Sequence, residues 1–332
     1  MKKKYLLPFE MPDFVCYHAS TYANSIIKAN TKDNIYIALL SKYINCYYKE
    51  QSTKHKFVIS VYDHWCTRQK IMQNQSVNLL KETYQKTNIN IVSMIKKSLL
   101  NDLYINGQCN RKYIESVYND DFFNFNFIIT GFDDLTHQFI LYGINQSDNF
   151  TSYRVGYSIF EQALFDTPKP NIPLTFWQYN KDAKFLIDLP NLIFELEDYI
   201  HSTNNRNHYT ADKVYGLAAI NALAEHLSMS AIVDGSMNEA YIYKFMLHKC
   251  YMTQRVTCLV NNSIINHKWI MYAQEVEEIG KTINELGKGF NNSHDLLLIK
   301  KVTDCIALSI HIEQDYLQPM LNEIKNYAEI TT

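Results

Sequence analysis

Four of the chain's seven prolines, Pro168, Pro170, Pro173 and Pro190, fall between residues 168 and 190. Proline fixes its own φ, removes an amide donor and pushes the residue before it out of helical geometry. A segment so rich in it separates one kind of structure from another. Upstream the pattern mixes strand and helix signals; downstream it is helical. The expectation is an α+β chain in two domains. Residues 1–190 form a half with a small antiparallel sheet, and residues 191–332 form an all-α half. A length of 332 residues, more than one core usually serves, agrees with two domains.

Upstream, the strongest signal is FNFNFIITGFDDLTHQFILYGI, two apolar runs separated by Gly131, Asp133 and Asp134. Those residues supply turn chemistry, and the pattern predicts a β-hairpin. Tyr22, Ala23, Ile26 and Ile27 predict a helix that Ser20 or Thr21 caps. Helices are also expected over 33–47, 67–86 and 91–103, with strands at 56–62, after Gly107 and at 153–157, and a helical turn at 160–164. Downstream, helical spacing runs through 191–201, 211–227, 238–260, 264–286 and 293–327, with Thr210 and Ser293 as N-caps and Gly287 and Gly289 as a stop.

Composition narrows the function classes. A net charge of -2 and no sustained basic face argue against nucleic-acid binding, which depends on phosphate neutralisation. The opening MKKKYLLPFEMPDF has a basic cluster, but its apolar stretch stops at Pro8, too short for a secretory signal. The longest apolar segment, Phe122 to Phe132, falls short of the roughly 20 residues of a membrane helix. A cytoplasmic chain with no membrane partner is expected. Seven cysteines without a CxxC pair suggest neither a disulfide framework nor a zinc ribbon. His64 and Cys66 in YDHWC lack further ligands, so no metal is expected. The frequent Tyr, Asn, Ile and Lys fit an AT-rich bacterial genome.

There is no P-loop, dinucleotide-binding glycine pattern, HExxH or nucleophile-elbow serine. What remains is Cys16, in VCYHAS just ahead of a predicted helix. A thiol there feels the positive end of the helix dipole, which favours thiolate and suits a nucleophile. The competing reading is a small buried residue. His18 is the nearest imidazole, and two residues' spacing on a helix puts it on another face, which favours capping. It is nevertheless carried with Cys16 as the catalytic candidate.

A cysteine leading a helix, followed after roughly a hundred residues by apolar–GFDD–apolar, resembles papain-type cysteine enzymes related to the peptidase domain of bacteriocin exporters. More closely, it resembles the butirosin biosynthesis protein H family, which accompanies nonribosomal peptide, polyketide and aminoglycoside gene clusters. In that family the hairpin commonly reads His-x-x-x-x-x-Gly-Tyr-Asp-Asp, matched by Phe125 to Asp134. MLHKCYMTQR resembles a helical motif of the same group, with His248, Lys249, Met252 and Arg255 on the matching positions.

The resemblance implies a papain-like first half. It also implies an acyl- or aminoacyltransferase that takes an acyl group from a carrier-protein thioester onto Cys16 and passes it to a small-molecule amine. No cofactor is expected beyond the carrier's phosphopantetheine. Such a transfer needs a dry pocket, for which Tyr17, Trp65, Tyr113 and Phe125 are the lining candidates. His248, Lys249 and Arg255 form a basic stripe, either an ordinary solvated face or a dock for the acidic helix and phosphate of an acyl or peptidyl carrier protein. The family's histidine is Phe125 here, and the upstream histidine of some members is Phe122. Asn145 lies near the third triad position. Phenylalanine transfers no proton, so a non-catalytic binder of a carrier protein or peptide intermediate is the alternative, with a cysteine peptidase or thioesterase third.

Overall fold

The computed structural model describes residues 3–11, 18–31, 44–51, 54–59, 71–80, 90–115, 124–145, 149–166, 171–185, 187–205 and 213–331. The chain divides into two compact units. Unit 1 comprises Met1–Ile35 and His64–Lys184, and unit 2 comprises Tyr36–Asp63 and Phe185–Thr332. The break at 184/185 falls inside the proline segment. The excursion of 36–63 into unit 2 corrects the expectation of one cut at 190.

Unit 1 is an antiparallel sheet with helices on both faces. Its strands are β1 (Lys4–Leu6), β4 (Met72–Leu80), β5 (Tyr104–Asn110), β6 (Asn124–Asp133), β7 (Gln138–Ile144), β8 (Phe150–Gly156) and β9 (Asn171–Tyr179). They run in the order β4-β9-β5-β6-β7-β8, with β1 on the far end of β6. The predicted hairpin is β6 and β7, joined by a turn over 134–137. The remaining strands β2 (Cys46–Gln51), β3 (Lys54–Ile59) and β10 (Lys213–Tyr215) belong to unit 2.

Two expectations fail here for the same reason, which is that long-range pairing overrides local pattern. The helix foreseen over 67–86 is, in its described part, strand β4, paired from Met72 to Leu80 with β9. Strand β9 itself lies within the proline cluster. Pro173 is tolerated because β9 is paired there only with Asn78 of β4, beyond the reach of β5. The helix foreseen over 33–47 ends, in its described part, in strand β2.

The helices of unit 1 are α1 (His18–Asn30), α2 (Ile91–Leu100), α3 (Lys112–Glu115) and α4 (Tyr157–Phe165). Asn90 caps α2 through its side chain, accepting from the Ser93 amide. Strand alternation sorts the sheet's side chains. Phe127 and Phe139 meet Phe160 of α4 edge-on, at centroid distances of 5.2 and 5.3 Å. Phe125, Phe127, Gly143 and Tyr153 therefore share the α4 face. Asn126, Ile128, Tyr142 and Phe150 share the other, where Tyr22 of α1 meets Phe150 at 5.9 Å.

Unit 2 contains α5 (Leu189–Ile200), α6 (Gly216–Val233), α7 (Glu239–Asn261), α8 (Trp269–Ser293) and α9 (Leu296–Thr331). Asp188 and Asn238 cap α5 and α7 with their side chains. The predicted stop at Gly287 and Gly289 is corrected. Gly287 lies inside α8, where a Cβ would come within 2.4 Å of Ile242, and the helix ends at His294 with φ 55°. Nor is this half all-α, because β2, β3 and β10 form a three-stranded antiparallel sheet. Ile44, Cys46, Tyr48 and Phe57 pack in the same core as α5 to α9. Helix α6 has the length and apolar composition of a membrane span, and its Leu217, Ile220, Leu223 and Leu227 are buried in that core.

Candidate functional site

Helix α1 begins at His18, two residues after Cys16 in the sequence. Cys16, Tyr17 and Trp65, like Phe122, His64, Cys66 and Thr210, lie outside the described residues, and the side chain of His18 does too. What is described of the site is α1 from Thr21 onward and the sheet face that Tyr22 meets. The first two turns of α1 bury an unusual share of polar side chains: Thr21, Asn24 and Ser25 are buried beside Tyr22, Ala23, Ile26 and Ile27. Asn24 Oδ1 and Ser25 Oγ have no hydrogen-bond partner among the described residues. Tyr22 donates its hydroxyl to the Asn126 carbonyl at 2.8 Å, which ties α1 to the start of β6. Burial pushes the Tyr22 hydroxyl pKa well up, so it stays a neutral donor.

The sheet face that Tyr22 meets carries amides. Gln108 and Asn126 are paired across β5 and β6, and Gln108 Nε2 donates to Asn126 Oδ1 at 2.8 Å. Asn106, next on the same face, donates to the Phe127 carbonyl at 3.0 Å. The face beneath α1 therefore carries a row of amides set among apolar neighbours. Sequence reasoning passed over Asn126 and Gln108. The alternation FNFNF held the signal, since a strand with Phe on one side carries Asn on the other.

Phe125 is a correction. It was expected to line a substrate pocket at the family's histidine position, yet it is 0% exposed and faces α4, the side away from α1. Its ring fills the space above Gly143, where a Cβ would approach Phe125 Cζ within 2.3 Å, and stands edge-on to Tyr153 at 5.2 Å. The Arg111 guanidinium lies 5.5 Å over it. Arg111 donates to Glu115 at 3.1 Å, and Tyr153 donates to the other Glu115 oxygen at 2.7 Å. Tyr113 is also on this side, with its hydroxyl 2.8 Å from Asp166 just past the end of α4. Neither aromatic joins the α1 face. Asn145 accepts from the Asn149 amide at 2.8 Å and closes the β7–β8 connection.

The second half of the hairpin motif has a structural job. Asp134 accepts from Lys96 at 2.6 Å and from Tyr157 at 2.7 Å, joining the turn to α2 and α4. Burial raises its carboxyl pKa, but these two hydrogen bonds outweigh that and hold it below the ordinary value. The adjacent Asp133 accepts from the Leu135 amide at 3.0 Å.

The basic stripe of α7 is the largest correction. His248 and Lys249 are 0% exposed and Arg255 is 2% exposed. They are not a solvated face, and no carrier protein can dock on them. They fall on the helical stripe of Phe245, Met252, Val256 and Leu259, at the three- and four-residue spacing that points into the core. That spacing was legible, and charge alone had placed them outside.

Each buried charge has a local answer. Lys249 Nζ donates to Glu313 Oε2 of α9 at 2.7 Å and to the Tyr199 hydroxyl of α5 at 3.1 Å, and lies 4.8 Å over the Phe245 ring. Tyr199 donates to the same Glu313 oxygen at 2.9 Å. His248 Nε2 donates to the Ile44 carbonyl at 2.7 Å. Burial, then the charge on Lys249, holds its imidazole pKa well below the ordinary value, so it is neutral. Burial lowers Arg255 to about 10, with Tyr316 and Glu195 opposing that, and it remains charged. Three helices and the lead-in to β2 are thereby tied at one point. No family model matches the chain, and no curated protein matches it.

Proposed function

We propose that the chain is a cysteine-dependent acyl- or aminoacyltransferase of bacterial natural-product biosynthesis. Its Cys16 takes an acyl group from a carrier-protein thioester and releases it to an amine as an amide. The observation that carries this reading is the set of polar side chains buried in the first turns of α1. The helix that follows Cys16 buries Thr21, Asn24 and Ser25 alongside the apolar Tyr22, Ala23, Ile26 and Ile27, and Asn24 Oδ1 and Ser25 Oγ have no hydrogen-bond partner among the described residues.

In the acylation step the thiolate sulfur attacks the thioester carbonyl, and the carrier's thiolate leaves with the bonding pair. In the second step the amine attacks the acyl-cysteine, loses a proton to solvent and expels the Cys16 thiolate. A thioester leaving group needs no general acid, which suits a site with phenylalanine at 125. The same phenylalanine favours a second reading, a non-catalytic binder of the carrier or its cargo, because a buried phenyl ring facing α4 exchanges no proton.

Thiol reactivity separates the two. Burial pushes Cys46 up to about 12 and Cys250 up to about 11, and raises Cys109, Cys258 and Cys305 as well, so these five are slow nucleophiles at neutral pH. With iodoacetamide at pH 7 and peptide mapping, Cys16 is expected to alkylate at least about tenfold faster than any of the five. Incubation with an acyl-N-acetylcysteamine thioester is expected to leave an acyl adduct that Cys16→Ala abolishes. A slow Cys16 and no adduct would sink the transferase in favour of the binder.

A further inference from the structure

Strands β10, β2 and β3 bring together three lysines that the sequence holds apart. Lys213 is directly opposite Lys49, and Lys49 is directly opposite Lys56. Residues paired in this way across antiparallel strands point to the same face. The three therefore form one row across the whole width of the sheet, with Lys56 exposed and Lys49 and Lys213 half-buried. The next row on the same face is Tyr215, Tyr47 and Val58. It steadies the lysines: the Lys213 ammonium lies 4.8 Å over the Tyr47 ring, which meets Tyr215 at 6.1 Å.

Like charges placed directly opposite each other weaken a sheet. No carboxylate breaks this row among the described residues of the three strands. Their acidic residue, Glu50, alternates to the other face with Tyr48, which meets His226 of α6 at 5.8 Å. On that face the Tyr48 hydroxyl is pushed up to about 12, first by burial and then by Glu50, Tyr241 and Glu225. Negative charge gathers on the α6 side of the sheet and positive charge on the side away from it.

The shape of the row chooses the partner. A single phosphate or carboxylate is best held by donors that converge on a point. These lysines stand in a line, at the roughly 5 Å spacing of cross-strand neighbours. Carboxylates three or four residues apart on a helix stand about 5–6 Å apart, so two turns of an acidic helix match the row charge for charge. A nucleic-acid strand is the poorer fit, because such binders neutralise on the order of 6–10 phosphates and this chain carries a net charge of -2.

We propose that the lysine row of β10, β2 and β3 is a docking surface for an acidic helix of a partner protein, with the three ammonium groups facing carboxylates on successive turns. The proposal depends on no step at Cys16.

The probe is an alanine-based helical peptide with glutamates at three successive i, i+4 positions, titrated into the full chain and fixed with carbodiimide, which joins carboxylates to lysine amines. Crosslinks are expected at Lys49, Lys56 and Lys213 at least about fivefold above those at the exposed Lys97 and Lys300. Affinity read by fluorescence anisotropy is expected to fall at least about threefold between roughly 20 and 300 mM salt. Lys56→Gln with Lys213→Gln is expected to weaken the peptide at least about fivefold, whereas Lys56→Arg with Lys213→Arg binds it as the parent does. Crosslinks spread evenly over the exposed lysines would overturn the proposal. So would equal affinity of the glutamine and arginine variants, and so would tighter binding of an oligothymidylate than of the peptide.

Discussion

In unit 1 the ion pairs around the hairpin, Lys96 with Asp134 and Arg111 with Glu115, lie at its margins with side chains 7 to 25% exposed. In unit 2 the Lys249–Glu313 pair sits at 0% exposure, with His248 and Arg255 equally enclosed. The difference follows from architecture. A sheet meets its helices through alternating side chains, so charge is moved to strand ends and turns. A bundle this deep has stripes that run through the centre, and a basic residue on such a stripe has to be answered in place by a carboxylate, a hydroxyl and an aromatic face. Unit 1 can lose a charge and rehydrate what is left; unit 2 cannot.

Three experiments break or sharpen that contrast. The largest effect is expected from Lys249→Met, which strands Glu313 in the core and is expected to cost unit 2 about 3–5 kcal/mol in chemical denaturation. Adding Glu313→Leu removes the stranded charge and is expected to restore most of the loss. A double variant as unstable as the single would show that the pair is not the cause.

His248 comes next. Its folded pKa is depressed, so the unfolded chain takes up a proton near pH 6.5 while the folded one does not. Its contribution is therefore fully present above pH 6.5 and is lost as pH falls, at up to about 1.4 kcal/mol per pH unit. His248→Gln is expected to flatten that dependence, as read from denaturation midpoints between about pH 7 and 5. An unchanged slope would mean that the imidazole is protonated in the fold.

The smallest effect belongs to unit 1. Asp134→Asn weakens the hydrogen bonds from Lys96 and Tyr157 at a site with a quarter of the side chain still solvated, so a loss of about 1 kcal/mol at low salt is expected. Because the Asp134 pKa is depressed, this contribution is present above the ordinary carboxylate range and vanishes as pH falls through the folded value. A loss as large as that from Lys249→Met would erase the distinction between the units.

Particular residues show what could be read in advance. The hairpin was legible because apolar runs flanking Gly and Asp state both the strands and the turn. The candidate site was legible only in outline. FNFNF carries both faces of β6, but which face meets α1 depends on the packing of α1 and α4, which no local pattern contains. The hairpin motif points to Phe125, whereas Asn126 is the residue on the α1 side. On α7 the spacing of His248, Lys249 and Arg255 with Phe245 and Leu259 already pointed inward. It was outweighed by their charge, because the partner that makes burial affordable, Glu313, is 64 residues away from Lys249.

By itself, the sequence determined the elements whose cause is local. These are the β6–β7 hairpin with its turn residues, the capped helices α2, α5 and α7, and a change of structure within the proline segment. Tertiary structure decided what depends on distant partners. Residues 72–80 became a strand because β9 lies alongside them, and strands β2 and β3 joined unit 2 because β10 and the core around α6 receive them. Lys249 and His248 went into the core because Glu313 and Tyr199 meet the one there and the Ile44 carbonyl meets the other. The physical reason is the same in each case. Periodicity and caps act within a few residues, whereas a strand's pairing and a buried charge's compensation are supplied across the fold.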